Sequence, residues 1–387
     1  MKNPNIPIAI DLFSGCGGFS TGLLDAGVRV VAGFDHERRA IDVYDYNHSH
    51  RGARGHVADL GRATGRDLLT LAGVQSVDIV VGGPPCQAFS IIGKRQGLKD
   101  ERGMLLFDFI RYIDELTPKA FILENVPNLA QVEDGKIFAQ VQADLTALGY
   151  AVRAEVLSVV DYGVAQMRRR LFMVGIRGET DFPYPPKPTH CRGGGDLFNR
   201  GLPHPTSRDA IGDLPDVDSP DAEWIPNHEP TSHSPAMIAA LTDLLPGTRE
   251  PKSHHDRLHP DRPSYTLRAG SGNFSPLRPI HYDHPRVITV RESARIQGFS
   301  DTFIWPDRIP RLQQYRQVGN AVPPPVAAAV ARHLCEFVGW QMDVAAVAGV
   351  PSERPSAITM SGHERQAMRN SRIRGASLGG RSEDTCK

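Results

Sequence analysis

The stretch Asp11–Leu23, DLFSGCGGFSTGL, follows the apolar run IPIAI and decides the fold. An apolar strand ends in a glycine-rich turn, and the turn opens into FSTGLLDAG, which has helical spacing. Strand, glycine turn and helix in that order begin many nucleotide-binding α/β proteins, because the turn lets backbone approach a ligand. The full G-x-G-x-x-G spacing is absent. Taken alone, the turn therefore suits NAD, FAD, S-adenosylmethionine or a plain tight turn.

The same alternation continues outward to about residue 180. VRVVAGFD, VDIVVGG, KAFILENV, YAVRAEVLSV and RRLFMVGIR read as strands. HERRAIDVYDYNH, GMLLFDFIRYIDELT and KIFAQVQADLTALG read as helices. Apolar strands separated by helices indicate a mostly parallel sheet covered on both faces, a doubly wound, Rossmann-like α/β architecture. Near Phe182 the chain turns rich in Pro, Gly, His and polar residues, and periodicity fades until VITVRESARIQGF. PPPVAAAVARHLCEFVGWQ then reads as a helix with prolines at its start. The expected organisation is a catalytic and cofactor-binding unit over 1–181, a smaller loop-rich unit over 182–312, a helical return to the first unit over 313–343 and a disordered tail over 344–387.

Bulk composition is that of a globular protein, with 40% hydrophobic and 23% charged residues in 387. No apolar run approaches the roughly 18 residues of a membrane helix, and the N-terminus lacks signal-peptide order, so a cytoplasmic protein is expected. The five cysteines are widely spaced with no C-x-x-C pair, which argues against disulfides and structural zinc; Cys191 of THC with His254 and His255 fits no standard ligand spacing, and no metal is expected. Net charge is zero, from 44 basic and 44 acidic residues. Basic residues nonetheless cluster, as in Arg168–Arg170, and local patches are what phosphate contacts require.

Four further features carry chemistry. Asp35 ends the second strand about 20 residues after the turn, where a carboxylate can accept from ribose hydroxyls. In GGPPCQAFS, two glycines and two prolines fix the backbone just before Cys86, at the carboxyl end of a strand. Glu124 and Asn125 end a neighbouring strand, so Glu124 points toward the same crevice, and partial burial there lets a carboxyl hold a proton to donate. In QMRRR, Gln166, Arg168 and Arg170 alternate and so share a face.

These blocks resemble those of the DNA (cytosine-5)-methyltransferases, in the order that family uses. DLFSGCGG resembles the first motif, PPCQ the nucleophile motif, ENV the acid motif and QMRRR the Q-x-R-x-R motif. RESARIQGFSD (291–301) and VGNAVPPPVA (318–327) resemble the last two. The resemblance implies a modification methylase, probing double-stranded DNA as a monomer, with S-adenosylmethionine as methyl donor. It implies that Cys86 attacks carbon 6 of a flipped-out cytosine and that Glu124 hydrogen-bonds or protonates ring nitrogen 3 and contacts the amino group. Arg170 would hold the base's carbonyl oxygen, and Arg168 would position Cys86 and a backbone phosphate. For the cofactor it implies Phe13, Gly15 and Gly17 in the turn, Asp35 on the ribose, His36 stacked on adenine, Asp59 and Leu60 on the adenine edge, and Pro84, Asn320 and Val322 completing the pocket. The segment after Cys86 carries Lys94, Arg95, Lys99 and Arg102, expected to touch DNA phosphates. Base reading is expected from about 182–285, and the 291–301 block is expected to support that region. The family's transfer-RNA-methylating subgroup is the first rival reading; the long insert favours DNA. A non-catalytic relative or a nicotinamide-dependent oxidoreductase would leave Cys86, Glu124 and QMRRR without a role.

Overall fold

Strands of four to nine residues, most of them apolar, make the central sheet. Its strands are β1 (Ile8–Leu12), β2 (Arg29–Asp35), β3 (Arg54–Val57), β4 (Ile79–Gly82), β5 (Ala120–Asn125), β6 (Tyr150–Ser158) and, after the short β7 (Gln166–Met167), β8 (Arg169–Arg177). The computed structural model describes residues 6–85, 101–193, 201–270 and 277–347, with the side chains of 101–104 and 346–347 left aside. Strand order in the seven-stranded sheet is β3-β2-β1-β4-β5-β8-β6. The first five strands in that order run parallel, and β8 runs antiparallel to both β5 and β6. The chain builds outward from β1 to β2 and β3, then restarts on its other side with β4. That reversal leaves a crevice at the carboxyl ends of β1 and β4, where such sheets bind ligands.

The helices are α1 (Gly18–Asp25), α2 (Arg38–His48), α3 (Gly65–Ala72), α4 (Glu101–Leu116), α5 (Lys136–Ala147), α6 (Ser207–Ile211), α7 (Pro235–Thr242), α8 (Val290–Gln297), α9 (Arg311–Asn320) and α10 (Pro324–Val338). Phe19 and Leu23 of α1 pack with Val330 and Leu334 of α10 on one face of the sheet. Leu68 of α3, Phe109 and Tyr112 of α4 and Val141 of α5 cover the other. Both faces of the central strands β1, β4 and β5 are thus buried, as their apolar runs require. β3 and α3 carry little pattern in the sequence: β3 is an edge strand with no fully buried residue, and α3 buries only Gly65 and Leu68. A capping box between Thr64 and Asp67 starts α3, and Gly73 in the left-handed region ends it.

Phe182 and Tyr184 still pack into the α1–α10 face, with Phe182 against Phe337. Beyond them, up to residue 289, the described chain holds only two-residue strands and helices of at most eight residues. Its core is borrowed: Ile211, Leu258 and Tyr282 pack with Phe299, Phe303 and Trp305, and with Cys16 and Val43 of the first unit. That loan explains the missing periodicity, since few of this region's own residues face inward. No helix among the described residues is long and apolar enough to cross a membrane.

Candidate active site

Two glycines of the turn, Gly17 and Gly18, have neighbours that leave no room for side chains. Gly17 has φ 95°, and a Cβ there would lie 2.3 Å from the His48 ring. At Gly18 a Cβ would lie 2.4 Å from the Val322 carbonyl oxygen, so α1 begins in backbone contact with the loop after α9. Phe13 adopts φ 56°, rare for a non-glycine residue and concentrated at functional sites. Asp35 ties the turn to β2: its Oδ2 accepts from the Gly15 amide at 2.9 Å, and its Oδ1 accepts from the Glu37 amide at 2.9 Å.

A crevice of about 1130 Å³ runs from this turn across the ends of β1, β4 and β5. Phe13, Gly15, Asp35 and His36 line one end, with Asp59 and Leu60 of the loop after β3. Arg111 and Tyr112 of α4 hold that loop by donating to the Leu60 carbonyl at 2.9 and 3.0 Å and the Ala63 carbonyl at 3.0 and 2.8 Å. Asn320 and Val322 line the far wall. The His36 side chain is 82% exposed, with Nδ1 3.2 Å from Asp35 Oδ1, and that carboxylate raises its pKa. Gly17 caps the start of α1 in the left-handed region, with Tyr44 and His48 where its Cβ would stand.

The other end holds the acid chemistry. Glu124 Oε1 lies 2.9 Å from Arg170 Nε, with both side chains largely buried. Burial raises the Glu124 pKa, while Arg170 and then Arg168 oppose the rise. Glu124 can lie there because Gly83 has no side chain: a Cβ would stand 3.2 Å from Glu124 Oε2. Beside it, Asn125 Nδ2 donates to the Pro84 carbonyl at 3.2 Å, fixing the end of β4 where Pro84 and Pro85 line the crevice. Cys86, Lys94, Arg95 and Lys99 lie outside the described residues, and Arg102 is described only as backbone in the first turn of α4.

The alternation in QMRRR is real, since Gln166 and Arg168 are buried and Met167 and Arg169 are exposed. It does not send Arg168 to DNA. Arg168 is 1% exposed, and its guanidinium donates to the carbonyls of Gly319 at 2.8 Å, Leu267 at 3.2 Å and Ala321 at 3.5 Å. The expected phosphate contact is therefore corrected: Arg168 is an internal strut. Gln166 joins the same hub, accepting from the Leu267 amide at 2.9 Å and donating to Gln297 Oε1 at 2.6 Å. Gln297 donates in turn to the Ala321 carbonyl at 2.6 Å. The 291–301 block thus braces the Asn320–Val322 wall as well as the loop-rich region, where Arg291 donates to the Pro226, Ser300 and Phe303 carbonyls. Gln297 carried no signal in the sequence beyond its place in that block.

Several buried polar atoms on the crevice have no partner: Asp11 Oδ1, Ser14 Oγ, Gln317 Nε2 and Arg168 Nε. Unpaired buried polar atoms are costly, and a set holding both acceptors and donors suits a polar ligand. Cys16 and Cys335 are buried, which pushes both thiols up to about 12. Among the described residues no three His, Cys, Asp or Glu side chains gather as metal ligands.

Residues 8–336 match the profile of the family described as C-5 cytosine-specific DNA methylase. The chain is 34% identical over 339 residues to the type II methyltransferase M1.HphI of Haemophilus parahaemolyticus, covering 83% of this chain and 85% of that protein. It is 34% identical over 372 residues to M.XorII of Xanthomonas oryzae pv. oryzae, covering 84% and 83%. Among solved structures, a prophage-encoded DNA modification methyltransferase of E. coli superposes with TM-score 0.71 at 26% identity, covering 86% of this chain and 99% of that one. S. pombe Dnmt2, at 17% identity and TM-score 0.61 over 86% of this chain and 99% of its own, shares the fold.

Proposed function

The chain belongs to the C-5 cytosine-specific DNA methylase family, and on that premise we propose that it moves a methyl group from S-adenosylmethionine to carbon 5 of a cytosine in a specific duplex sequence, through a covalent bond to Cys86. The observation that carries this reading is the meeting of Glu124 and Arg170, 2.9 Å apart, on the crevice where Pro84 and Pro85 lead into Cys86. The type II relatives support a role as the modification enzyme of a restriction-modification system.

Carbon 5 of cytosine is too weak a nucleophile to take a methyl group unaided. A Cys86 thiolate forming a bond to carbon 6 pushes the ring electrons toward carbon 5. Glu124 is suited to hold the proton that ring nitrogen 3 needs as that charge develops, because burial makes its carboxyl keep a proton more readily. Arg170 holds Glu124 in place and offers its guanidinium to the base's carbonyl oxygen. Loss of the carbon-5 proton and of Cys86 then restores the aromatic ring. S-adenosylmethionine, when bound along the glycine turn, supplies the methyl group as an electrophile. Phe13, Gly15, Asp35, His36, Asp59, Leu60, Pro84, Asn320 and Val322 are the residues that would hold it, and the unpaired Asp11, Ser14 and Gln317 atoms fit its charged amino-acid end.

A cytosine inside a duplex is out of reach of any such crevice, so the base must swing out of the stack. Lys94, Arg95, Lys99 and Arg102 supply positive charge for the flanking phosphates, and the loop-rich region over 182–285 reads the bases. The test is transfer of labelled methyl from S-adenosylmethionine into duplex DNA. Cys86→Ala is expected to abolish transfer while both ligands still bind, and full activity in that variant would overturn the covalent route. Sequencing of methylated cytosines in DNA from expressing cells then gives the target sequence.

A further inference from the structure

Three histidines around the segment that leads into α8 share one arrangement. His228 and His281 are buried and His233 is half-buried. His281 Nδ1 accepts from the Asp283 and His284 amides at 3.1 and 3.2 Å. His233 Nε2 accepts from the Val287 amide at 3.1 Å. His228 Nε2 lies 2.8 Å from the Pro215 carbonyl, which can only accept, so that nitrogen carries the proton. His228 Nδ1, 2.9 Å from the Thr289 hydroxyl, therefore accepts from it. Thr289 in turn caps α8, its Oγ1 taking the Glu292 amide. Each ring does its work in the neutral form.

We propose that His228, His233 and His281 form an acid-released latch: neutral, they fasten residues 281–289 to the loop-rich region and to the start of α8, and protonated, they let that segment go. A backbone amide cannot turn round, so a proton on His281 Nδ1 or His233 Nε2 sets donor against donor. At His228 the Thr289 hydroxyl loses its acceptor. Each proton also adds positive charge near Arg286, whose guanidinium meets the two Glu292 carboxylate oxygens at 2.8 Å each. Burial pushes all three histidines down, His281 to about 4. A histidine in the released segment keeps its ordinary value of about 6.5. The latch is therefore complete above about pH 6.5 and weakens as the pH falls toward 4. The loop-rich region, the proposed base reader, holds its shape at pH 7.5 and yields first in acid.

Charges on the neighbouring elements act in both directions, and burial outweighs those that favour a proton. Glu292 of α8 favours a proton on His228 and His281. Arg286 opposes one on all three rings, and Arg291 of α8 opposes one on His228. His284 opposes and Asp216 favours a proton on His281. His255 stands beside His233 and is itself pushed down, by burial first and then by that neighbour. From α9, Tyr315 donates to the Ile288 carbonyl at 2.7 Å, and burial pushes its phenol up. Arg311 of α9 donates to the Pro230 carbonyl at 2.6 Å, and Arg257 to the Tyr282 carbonyl at 3.1 Å.

The test is amide hydrogen exchange on the full chain at pH 7.5 and at pH 5, with each rate corrected for the intrinsic effect of pH. Protection at the Asp283 and His284 amides should fall about 30-fold at pH 5, the factor set by a histidine at about 4 when latched and about 6.5 when released. Protection at Val287 should fall in the same direction. Val80 and Ile122, paired in the middle of the sheet, should keep theirs. His281→Asn supplies a side-chain oxygen that accepts from amides two or three residues on and does not titrate. That variant should hold the Asp283 and His284 amides equally at both pH values. Wild-type protection that stays unchanged at Asp283, His284 and Val287 overturns the latch. So does a fall shared equally by Val80 and Ile122, which is acid unfolding of the whole chain, or an equal fall in His281→Asn. The wild-type comparison decides by itself should His281→Asn not fold.

Discussion

Glu124 and Arg170 show how much of a site a single pair can decide. At the end of β5 a buried carboxyl faces a guanidinium, burial raising its pKa and the guanidinium opposing the rise. Burial favours the proton and Arg170 opposes it, so the group can give a proton to a base and take it back. Glu124→Gln keeps the shape and the contact with Arg170 but has no proton to give. Single-turnover methyl transfer in that variant is expected to slow by about 100-fold or more, with duplex binding retained by gel shift. Transfer within a few-fold of wild type would remove Glu124 from the acid role. This residue was legible in the sequence because an acid closing an apolar strand has few structural reasons to be there. Arg168 shows the limit of the same logic. Its alternation with Arg170 correctly gives a shared side, but only the fold shows that this side at Arg168 is closed by the carbonyls of Leu267, Gly319 and Ala321.

At the scale of elements, the sequence speaks through periodicity and the site through close approach. β1, β2, β4, β5 and β8 are apolar runs and read directly as strands. β3 and α3 escape because an exposed edge and a mostly polar helix carry little pattern. The brace between α8 and the loop after α9 is invisible in the sequence, since Gln297 meets Gln166 across 131 positions. Gln297→Ala leaves the Gln166 amide and part of the Ala321 carbonyl bonding unmet in a buried place. A loss of about 2 kcal/mol in stability by chemical denaturation is expected, together with a raised KM for S-adenosylmethionine as the Asn320–Val322 wall loosens. Unchanged stability and KM would mean that Arg168 alone holds that wall.

At the scale of the molecule, a sheet with a ligand crevice at its switch point carries a second region that has few inward-facing residues of its own. The hub of Gln166, Arg168 and Gln297 joins the two, linking Leu267 of the loop-rich region to Gly319 and Ala321 beside the cofactor wall. The doubly wound architecture was legible because both faces of its strands are apolar. The loop-rich region was legible only by contrast, because its core depends on Phe299, Phe303 and Trp305 from the block that follows it. Zero net charge gives no sign of a DNA partner, which the family match carries instead. The central claim joins these scales: a base drawn from a duplex is attacked by Cys86 on the crevice that holds Glu124. Its most direct measurement is the denatured mass of the protein after incubation with S-adenosylmethionine and a duplex bearing 5-fluorocytosine at the target site, where the blocked carbon 5 cannot release a proton. The wild type is expected to gain the mass of the DNA strand, and Cys86→Ala is expected to gain nothing. A wild type that methylates ordinary DNA yet forms no adduct, or an equal adduct in Cys86→Ala, would contradict the account.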